Sequence, residues 1–238
     1  MHPESAPQAH ARRGDARRRF HAVLFDLDGT LLDTAPDMIG ALNSLRAENQ
    51  LDLMSDAAAR PSVSHGSARL VQIAFPDAAP DRFAALQRRF LELYGATLSA
   101  RTRLFAGMDA VLAELAQREL KVGVVTNKPA RLTDALLEAL GLTSKFACVI
   151  SGDTLSERKP HPMPMLHAAK LAGAEPGACL YVGDAQRDVQ AAHAAGMEAV
   201  VATYGYLGGD EDWRAWGGEG FIDRPIDLLG WLDRWQAA

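Results

Sequence analysis

The chain has 238 residues, of which 48% are hydrophobic and 23% are charged, and its formal net charge is −5 at pH 7. This length and composition predict a soluble globular protein with one large domain, or with a medium domain that carries an insertion. A slightly acidic chain gives no reason to expect nucleic acid as a partner. No apolar run is long enough to span a bilayer, so we expect no membrane partner.

The first nineteen residues differ in composition from the rest of the chain. Residues 1–19 are rich in Pro, Ala and Arg and lack apolar periodicity. A secretory signal needs an apolar core, which this segment lacks, and a transit peptide is usually also Ser-rich and poor in acids. We therefore expect a disordered basic tail at 1–19 and a cytoplasmic protein.

Five short apolar runs predict the strands of a sheet. They are rich in β-branched residues and almost continuously apolar, which is typical of strands that are buried on both faces of a parallel sheet. The runs are residues 21–27, 121–127, 147–151, 179–184 and 198–203.

Segments with helical patterns alternate with these runs. The segment at 129–141 has Pro129 in its first turn and Gly141 at its end, which are the usual residues at the two ends of a helix. The other segments are residues 107–120, 162–173 and 186–196. Alternating strands and helices predict an α/β fold with a doubly wound, Rossmann-like parallel sheet.

One segment interrupts the alternation. Residues 35–104 contain helical patterns at 38–49, 67–75 and 81–98, but no convincing strand. Roughly seventy residues are more than a crossover between neighbouring strands needs. We therefore expect a helical cap at 35–104, inserted after the first strand, and an α/β core that consists of residues 20–34 and 105–238.

Polar side chains follow the predicted strands at their carboxyl ends. In an open parallel sheet, ligands bind outside these ends, so we expect the side chains to converge on one site. The set contains four acids, a hydroxyl and an amine, namely Asp26, Asp28, Asp184, Asp188, Thr126 and Lys159. Asn127 and Lys128 follow Thr126 at the end of the same strand.

The chemistry of this set points to phosphoryl transfer. Several carboxylates without His or Cys suit a hard cation such as Mg²⁺. A lysine amine and a threonine hydroxyl suit phosphate oxygens. A carboxylate that faces phosphorus can act as a nucleophile. The set therefore predicts a reaction that passes through an aspartyl phosphate.

Four segments, DLDGT, VVTNK, the lysine of RKP and GDAQRD, resemble in order and spacing the motifs of the haloacid dehalogenase superfamily of phosphohydrolases. The resemblance implies that Asp26 is the nucleophile and that Asp28 is the general acid and then the general base. Dehalogenases and ATPases of this superfamily typically lack an acid at the position of Asp28, so its presence argues against both activities. The helical segment matches a cap that closes over the site.

The same resemblance implies a Mg²⁺ cofactor and a phosphate-binding set. The implied metal ligands are Asp26, the main-chain carbonyl of Asp28 and Asp184. Asp188 would orient the metal site as a supporting carboxylate. The phosphoryl group would be held by Thr126, Lys159 and the main chain at Asn127.

Substrate choice is expected in the cap, at residues 62–71. His65, Ser67 and Arg69 are the candidates for contact with the substrate, and Gly66 would allow close approach of the backbone. An arginine suits a carboxylate. An equally good interpretation is that Arg69 lies on a solvated helix face.

The segments APD, GVVTNKP and TYGY are similar to the phosphoglycolate phosphatase branch. The TYGY segment and the C-terminal tail are especially similar to relatives in that branch that act on N-acetylmuramic acid 6-phosphate.

The first hypothesis is a phosphatase acting on 2-phosphoglycolate, and the alternative substrate is N-acetylmuramic acid 6-phosphate. A sugar phosphomutase of the same superfamily is a rival hypothesis, and a non-catalytic binding protein would lack Asp26 or Asp28. We expect a small phosphorylated substrate as the partner, and a monomer or a weak homodimer.

Overall fold

The computed structural model describes residues 20–208 and 212–237, with side chains described as far as residue 233. The predicted disordered tail at 1–19 lies outside the described residues. Within those residues, a six-stranded parallel sheet has the strand order β5-β4-β1-β6-β7-β8, and β2 and β3 form a small antiparallel pair. In chain order the strands are β1 (Ala22–Phe25), β2 (Leu32–Asp33), β3 (Arg103–Leu104), β4 (Lys121–Val125), β5 (Cys148–Ile150), β6 (Cys179–Gly183), β7 (Glu198–Ala202) and β8 (Gly220–Ile222).

Helices cover both faces of the large sheet and fill the segment between β2 and β3. In chain order they are α1 (Ala35–Glu48), α2 (Asp56–Ala59), α3 (Gly66–Ala74), α4 (Pro80–Ala96), α5 (Met108–Gln117), α6 (Ala130–Ala139), α7 (Met163–Ala172), α8 (Gln186–Ala194) and α9 (Asp227–Ala237). Among the described residues, none of these helices is long and apolar enough to cross a membrane. The predicted α/β fold with a parallel sheet is confirmed.

Alternate residues of β1 face opposite sides of the sheet. Val23 and Phe25 belong to a core that also contains residues of α5, α6 and α9, whereas Ala22 and Leu24 pack in a second core with α7 and α8. Burial of these apolar side chains on both faces holds the sheet between two layers of helices. The carboxyl edge is therefore where polar side chains from neighbouring strands can gather.

The chain leaves β1 at the centre of the sheet, because β4 lies on one side of β1 and β6 on the other. Phe25 pairs in register with Val124 of β4 and with Val182 of β6. The strand order changes direction here, and such switch points are where ligands bind in open parallel sheets. The residues that follow Phe25 therefore enter the most favourable position for a ligand site.

The helices α1 to α4 form one connected insertion. Helices α1 and α4 pack along each other, and α3 packs against both. Leu32 pairs with Leu104 and Asp33 with Arg103, so the insertion leaves and re-enters the rest of the chain on neighbouring strands. The short strand β3 lies at the end of the segment that the sequence pattern describes as helical. The sequence patterns also do not indicate β8, which is only three residues long.

Candidate active site

Strand β1 delivers Asp26 to the carboxyl edge of the sheet. The residue is only 3% exposed, and its Oδ1 accepts a hydrogen bond of 2.7 Å from the backbone N–H of Leu27. Gly29 then has a φ of +86°, and a Cβ at this position would lie 2.1 Å from Oδ2 of Asp184. Only glycine lets the chain turn this close to a second carboxylate.

Three carboxylates lie together at this edge. Oxygens of Asp26, Asp184 and Asp188 lie within 4.8 Å of one another, and all three residues are buried. Burial raises the pKa of Asp184 to about 7, and the charges of Asp26 and Asp188 add to the effect. Burial also raises the pKa of Asp188. Buried like charges need a cation to offset them, and carboxylate oxygens are ligands of hard divalent cations, so the cluster fits such an ion.

Lys159 brings a fixed positive charge to the cluster. Its Nζ lies 3.0 Å from Oδ1 of Asp26 and 2.8 Å from Oδ1 of Asp188. The same amine donates to the carbonyl of Val125 and lies 2.8 Å from the hydroxyl of Tyr181. These contacts hold the buried amine beside Asp26, where its charge lowers the local density of negative charge.

Asn127 fixes the loop that carries Lys159. Its side-chain Nδ2 donates to the carbonyl of Lys159 at 2.9 Å, and its Oδ1 accepts from the backbone N–H of Lys159 at 3.1 Å. The neighbouring Thr126 is buried, and its hydroxyl accepts a hydrogen bond from the backbone N–H of Lys128. Hydrogen bonds within the segment after β4 therefore stabilise its own conformation, and those of Asn127 fix the loop that carries Lys159.

Asp28 forms a separate ion pair with Lys128. The Nζ of Lys128 lies 2.9 Å from Oδ1 of Asp28 and 2.8 Å from the hydroxyl of Tyr94 in α4. Burial by itself would lower the pKa of Lys128, but its interactions with Asp28 and Tyr94 raise the pKa above its ordinary value. The amine is therefore charged. Through its contacts with Asp28 and Tyr94, it links the strand ends to the insertion.

Ser64 connects the insertion to the carboxylate cluster. Its hydroxyl donates to Oδ2 of Asp184 at 2.6 Å, and the backbone N–H of Tyr206 donates to the same oxygen at 2.9 Å. The carbonyl of Ser64 accepts a hydrogen bond from Nη2 of Arg187. One residue of the insertion thus contacts a carboxylate of the cluster and an arginine of α8.

These elements enclose a cavity of about 980 Å³ between the strand ends and the insertion. Many of the side chains that the sequence patterns single out line this cavity. They are Asp26, Asp28, His65, Ser67, Thr126, Asn127 and Lys159. Asp184 and Asp188 join them through the carboxylate cluster around Asp26.

Arg69 is the exception among the sequence-derived candidates. It is exposed on α3, its Nη1 donates to Oε1 of Gln72 on the same helix, and it does not line the cavity. In this conformation it occupies a solvated helix face. Its predicted contact with a substrate carboxylate is not made by the arrangement described, and stays a prediction.

Three cavity residues, Ser64, Lys128 and Arg187, have roles that the sequence patterns do not indicate. Lys128 directly follows Asn127, so its place beside a strand end was a usable signal. Ser64 lies in the segment 62–71 where substrate choice is expected, but its contact with Asp184 joins residues that are 120 positions apart, which the sequence does not indicate. Arg187 lies between two acids of one motif, where it is easily taken for a solvated helix residue.

The chain is similar to known proteins over most of its length. The model of the haloacid dehalogenase-like hydrolase family matches residues 23–202. A phosphoglycolate phosphatase of Xanthomonas campestris is 44% identical over 207 residues, which cover 87% of this chain and 94% of that protein. An N-acetylmuramic acid 6-phosphate phosphatase of Pseudomonas putida is 38% identical over 216 residues, which cover 90% of this chain and 97% of that protein.

A solved structure leads to the same family. The crystal structure of a predicted phosphoglycolate phosphatase from Haemophilus somnus superposes with a TM-score of 0.80 at 32% identity, covering 89% of this chain and 97% of that chain. The family match spans well over half of the sequence, and it contains the strand ends that carry the carboxylate cluster. The chain therefore belongs to the haloacid dehalogenase-like hydrolase family.

Proposed function

We propose that this chain is a Mg²⁺-dependent phosphatase that hydrolyses a small phosphate monoester through an aspartyl phosphate on Asp26. The observation that carries the proposal is the contact of 3.0 Å between Asp26 and the buried amine of Lys159, inside a cavity bordered by the carboxylate cluster. A carboxylate held beside a fixed cation can approach an anionic substrate with less repulsion than an isolated one.

The donor set favours Mg²⁺ as the metal. Its side-chain ligands are oxygens alone, which suits a hard cation, and the main-chain carbonyl of Asp28 is proposed as a further ligand beside Asp26 and Asp184. When bound, the ion supplies charge neutralisation for the phosphoryl oxygens. The carboxylate of Asp188 accepts a hydrogen bond from the backbone N–H of Ala185, which fixes it at the start of α8. In this position Asp188 supports the metal site.

In the first step, we propose that Oδ of Asp26 attacks phosphorus while Asp28 donates a proton to the leaving alcohol oxygen. The ester P–O bond breaks as the aspartyl P–O bond forms, and the alcohol leaves neutral. Thr126 and Lys159 hold the phosphoryl oxygens, and the main chain at Asn127 contributes a donor. The side chain of Asn127 fixes the position of Lys159 during this step.

In the second step, Asp28 takes a proton from water, and the water oxygen attacks the phosphorus of the aspartyl phosphate. Inorganic phosphate leaves and Asp26 is restored as a carboxylate. Asp28 contacts Lys128 whereas Asp26 contacts Lys159, so the two aspartates have different surroundings. Asp26 attacks phosphorus, and Asp28, which has to be protonated before the first step, moves protons. Two carboxylates in different environments can then serve two roles.

We also propose that residues 35–104 act as a cap on a core of residues 20–34 and 105–238. The contacts of Ser64 with Asp184 and of Tyr94 with Lys128 support this assignment, because they join the insertion to the proposed chemistry. A cover over the cavity excludes bulk water and strengthens the electrostatic interactions within it. A cytoplasmic location, and a monomer or a weak homodimer, complete the proposal.

The first candidate for the substrate is 2-phosphoglycolate, since the relative from Xanthomonas campestris bears the name phosphoglycolate phosphatase. The cavity favours a second candidate, N-acetylmuramic acid 6-phosphate, because about 980 Å³ is much more than a two-carbon ester fills. The relative from Pseudomonas putida bears that name. Both esters carry a carboxylate in addition to the phosphate.

The test is the release of inorganic phosphate from a panel of 2-phosphoglycolate, N-acetylmuramic acid 6-phosphate and a hexose phosphate, with Mg²⁺ or with EDTA. We expect phosphate release that needs Mg²⁺ and is fastest with one of the two carboxylate-bearing esters. Full activity in EDTA would contradict the mechanism. An isomerised sugar phosphate without net release of phosphate would instead identify a phosphomutase.

A further inference from the structure

Ser64 brings the insertion into direct contact with the carboxylate cluster. It lies just before α3 and is 9% exposed, and its hydroxyl donates to Oδ2 of Asp184 at 2.6 Å. Its carbonyl accepts a hydrogen bond from Nη2 of Arg187 in α8. The hydroxyl and the carbonyl of Ser64 are thus both held by residues that follow β6, outside the insertion.

Gly29 leaves the space in which this contact forms. A Cβ at Gly29 would lie 2.9 Å from Oγ of Ser64 and 2.1 Å from Oδ2 of Asp184. Any side chain at this position would therefore push the hydroxyl and the carboxylate apart. The first motif of the sequence thus provides room for a residue of the insertion beside the cluster.

The two carboxylate oxygens of Asp184 have different surroundings. Oδ2 accepts hydrogen bonds from the hydroxyl of Ser64 and from the backbone N–H of Tyr206. Within the described part of the chain, Oδ1 has only a contact of 3.5 Å with the hydroxyl of Thr30, which is longer than an ordinary O–H···O hydrogen bond. Oδ1 therefore keeps the capacity to bind an ion, while the donors at Oδ2 fix the orientation of the carboxylate. A ligand that is already oriented loses less freedom when the ion binds.

We infer that Ser64 is a positioning residue that couples docking of the insertion to binding of Mg²⁺ by Asp184. In the docked position, Ser64 contacts Asp184 and Arg187, and both donors hold Oδ2. When the insertion moves away, Oδ2 keeps only the donor from Tyr206. The inference rests on the proposed function in one respect, namely that the carboxylate cluster binds Mg²⁺.

The coupling acts in both directions. If docking strengthens Mg²⁺ binding by a given factor, Mg²⁺ favours docking by the same factor. The insertion is then held over the cavity most firmly when the metal is in place, and it opens more easily when the cluster is empty. The cavity is thereby closed for reaction in the state that contains the metal.

Calorimetric titration of Mg²⁺ tests the first direction. For Ser64→Ala we expect the Kd for Mg²⁺ to rise about tenfold, which is typical for loss of a hydrogen bond that orients a metal ligand. Ser64→Cys keeps nearly the same shape with a weaker donor, so its Kd should be intermediate. Ser44→Ala is the matched control and should leave the Kd unchanged, since Ser44 is exposed on α1 and its hydroxyl donates to Gly40 of the same helix.

Three results of this titration would overturn the inference. They are an equal Kd for the wild type and Ser64→Ala, an equal rise of the Kd in Ser44→Ala, and a wild type that binds no Mg²⁺.

Hydrogen exchange of the backbone amides in residues 62–71 tests the second direction. We expect saturating Mg²⁺ to slow exchange about tenfold in the wild type and by less than about twofold in Ser64→Ala, because the two effects share one coupling factor. Equal slowing in both proteins would mean that the ion acts on the insertion without Ser64. That result, or no slowing in the wild type, would overturn the inference.

Kinetics separate this role from general damage to the fold. At saturating Mg²⁺, Ser64→Ala should keep kcat within about threefold of the wild type, whereas the Mg²⁺ concentration for half-maximal rate should rise about tenfold. A fall in kcat with unchanged Mg²⁺ dependence would overturn the inference, since the hydroxyl would then serve the fold or the chemical step.

The titration and the exchange experiment need no turnover, so they also separate this inference from the proposed function. If the wild type hydrolyses no ester but Ser64→Ala binds Mg²⁺ about tenfold more weakly, the proposed function fails and the inference stands. If the wild type hydrolyses esters with Mg²⁺ and Ser64→Ala binds the ion equally well, the inference alone fails.

Discussion

The amine of Lys128 lies 2.9 Å from the carboxylate of Asp28, and both side chains are largely buried. Lys128→Met removes this partner and leaves the proposed general acid without the contact that orients it. We expect kcat to fall about tenfold or more on every ester, with KM nearly unchanged, because Asp28 acts in the chemical step. Steady-state kinetics on two unrelated esters measure both parameters.

Tyr94→Phe is the matched control for the lysine. It removes the hydroxyl that contacts Lys128 but keeps the ring below the amine and the ion pair with Asp28. We expect a much smaller fall in kcat than for Lys128→Met. An effect as large as that of the lysine variant would mean that closure of the insertion, and not the orientation of Asp28, limits the rate.

Replacement of Asp26 by Asn tests the nucleophile. The amide has nearly the same shape but is a poor nucleophile, so the melting temperature should be preserved while turnover stops. Rapid acid quenching with an ester labelled in its phosphorus should trap label on the wild type and not on Asp26→Asn. Equal labelling of the two proteins would assign the nucleophile to another residue.

Proton and metal should compete at Asp184. Its pKa is raised by burial to about 7 from an ordinary value of 3.8, so the folded metal-free protein holds this proton more tightly than the unfolded chain does. The resulting stability is present below about pH 4 and is lost as the pH rises through 7. In EDTA the melting temperature should therefore decline between pH 5 and pH 8.

Added Mg²⁺ should reverse that decline, because a deprotonated Asp184 is the better ligand. A ligand at a hundredfold excess over its Kd stabilises the folded state by about 2.7 kcal/mol, which is several degrees in melting temperature. We expect a larger Mg²⁺-induced shift at pH 8 than at pH 5, and a much reduced shift in Asp184→Asn. Equal shifts at both pH values would show that no proton is released when the metal binds.

Arg69→Ala tests the position of the exposed arginine on α3. The side chain contacts Gln72 and does not line the cavity, so we expect kcat/KM to change by less than about twofold on any ester. The comparison uses 2-phosphoglycolate and an aryl phosphate without a carboxylate. A selective tenfold loss on 2-phosphoglycolate would instead show that the insertion moves and brings Arg69 to the substrate.

The sequence predicts the core of the fold well, because the signals there are local. Continuous apolar runs mark β1, β4 and β6, and the acids that follow β1 and β6 mark the edge where ligands bind. The register of the sheet then brings Asp26 and Asp184 together without any further information. For these residues, the sequence pattern alone predicts the arrangement that the structure shows.

The insertion side of the site is less predictable, since its contacts depend on how two helical layers dock. Arg69 and Arg187 show the difference. Both are arginines near the start of a helix, and the one in the suspected substrate loop is solvated, while the one between two acids lines the cavity. Helix periodicity does not give the orientation of one layer on another, so the sequence does not show which of the two arginines lines the cavity.

Asp37 ties the first turn of α1 to the chain that returns from the insertion. Its carboxylate accepts hydrogen bonds from the backbone N–H groups of Arg101 and Thr102 and from the hydroxyl of Thr102. The two ends of the insertion are thereby fastened side by side, next to the pairing of β2 with β3. A segment with fastened, adjacent ends can be lengthened or exchanged at small entropic cost. The helices between these ends can thus change in length or sequence during evolution while the carboxylates at the strand ends stay in place.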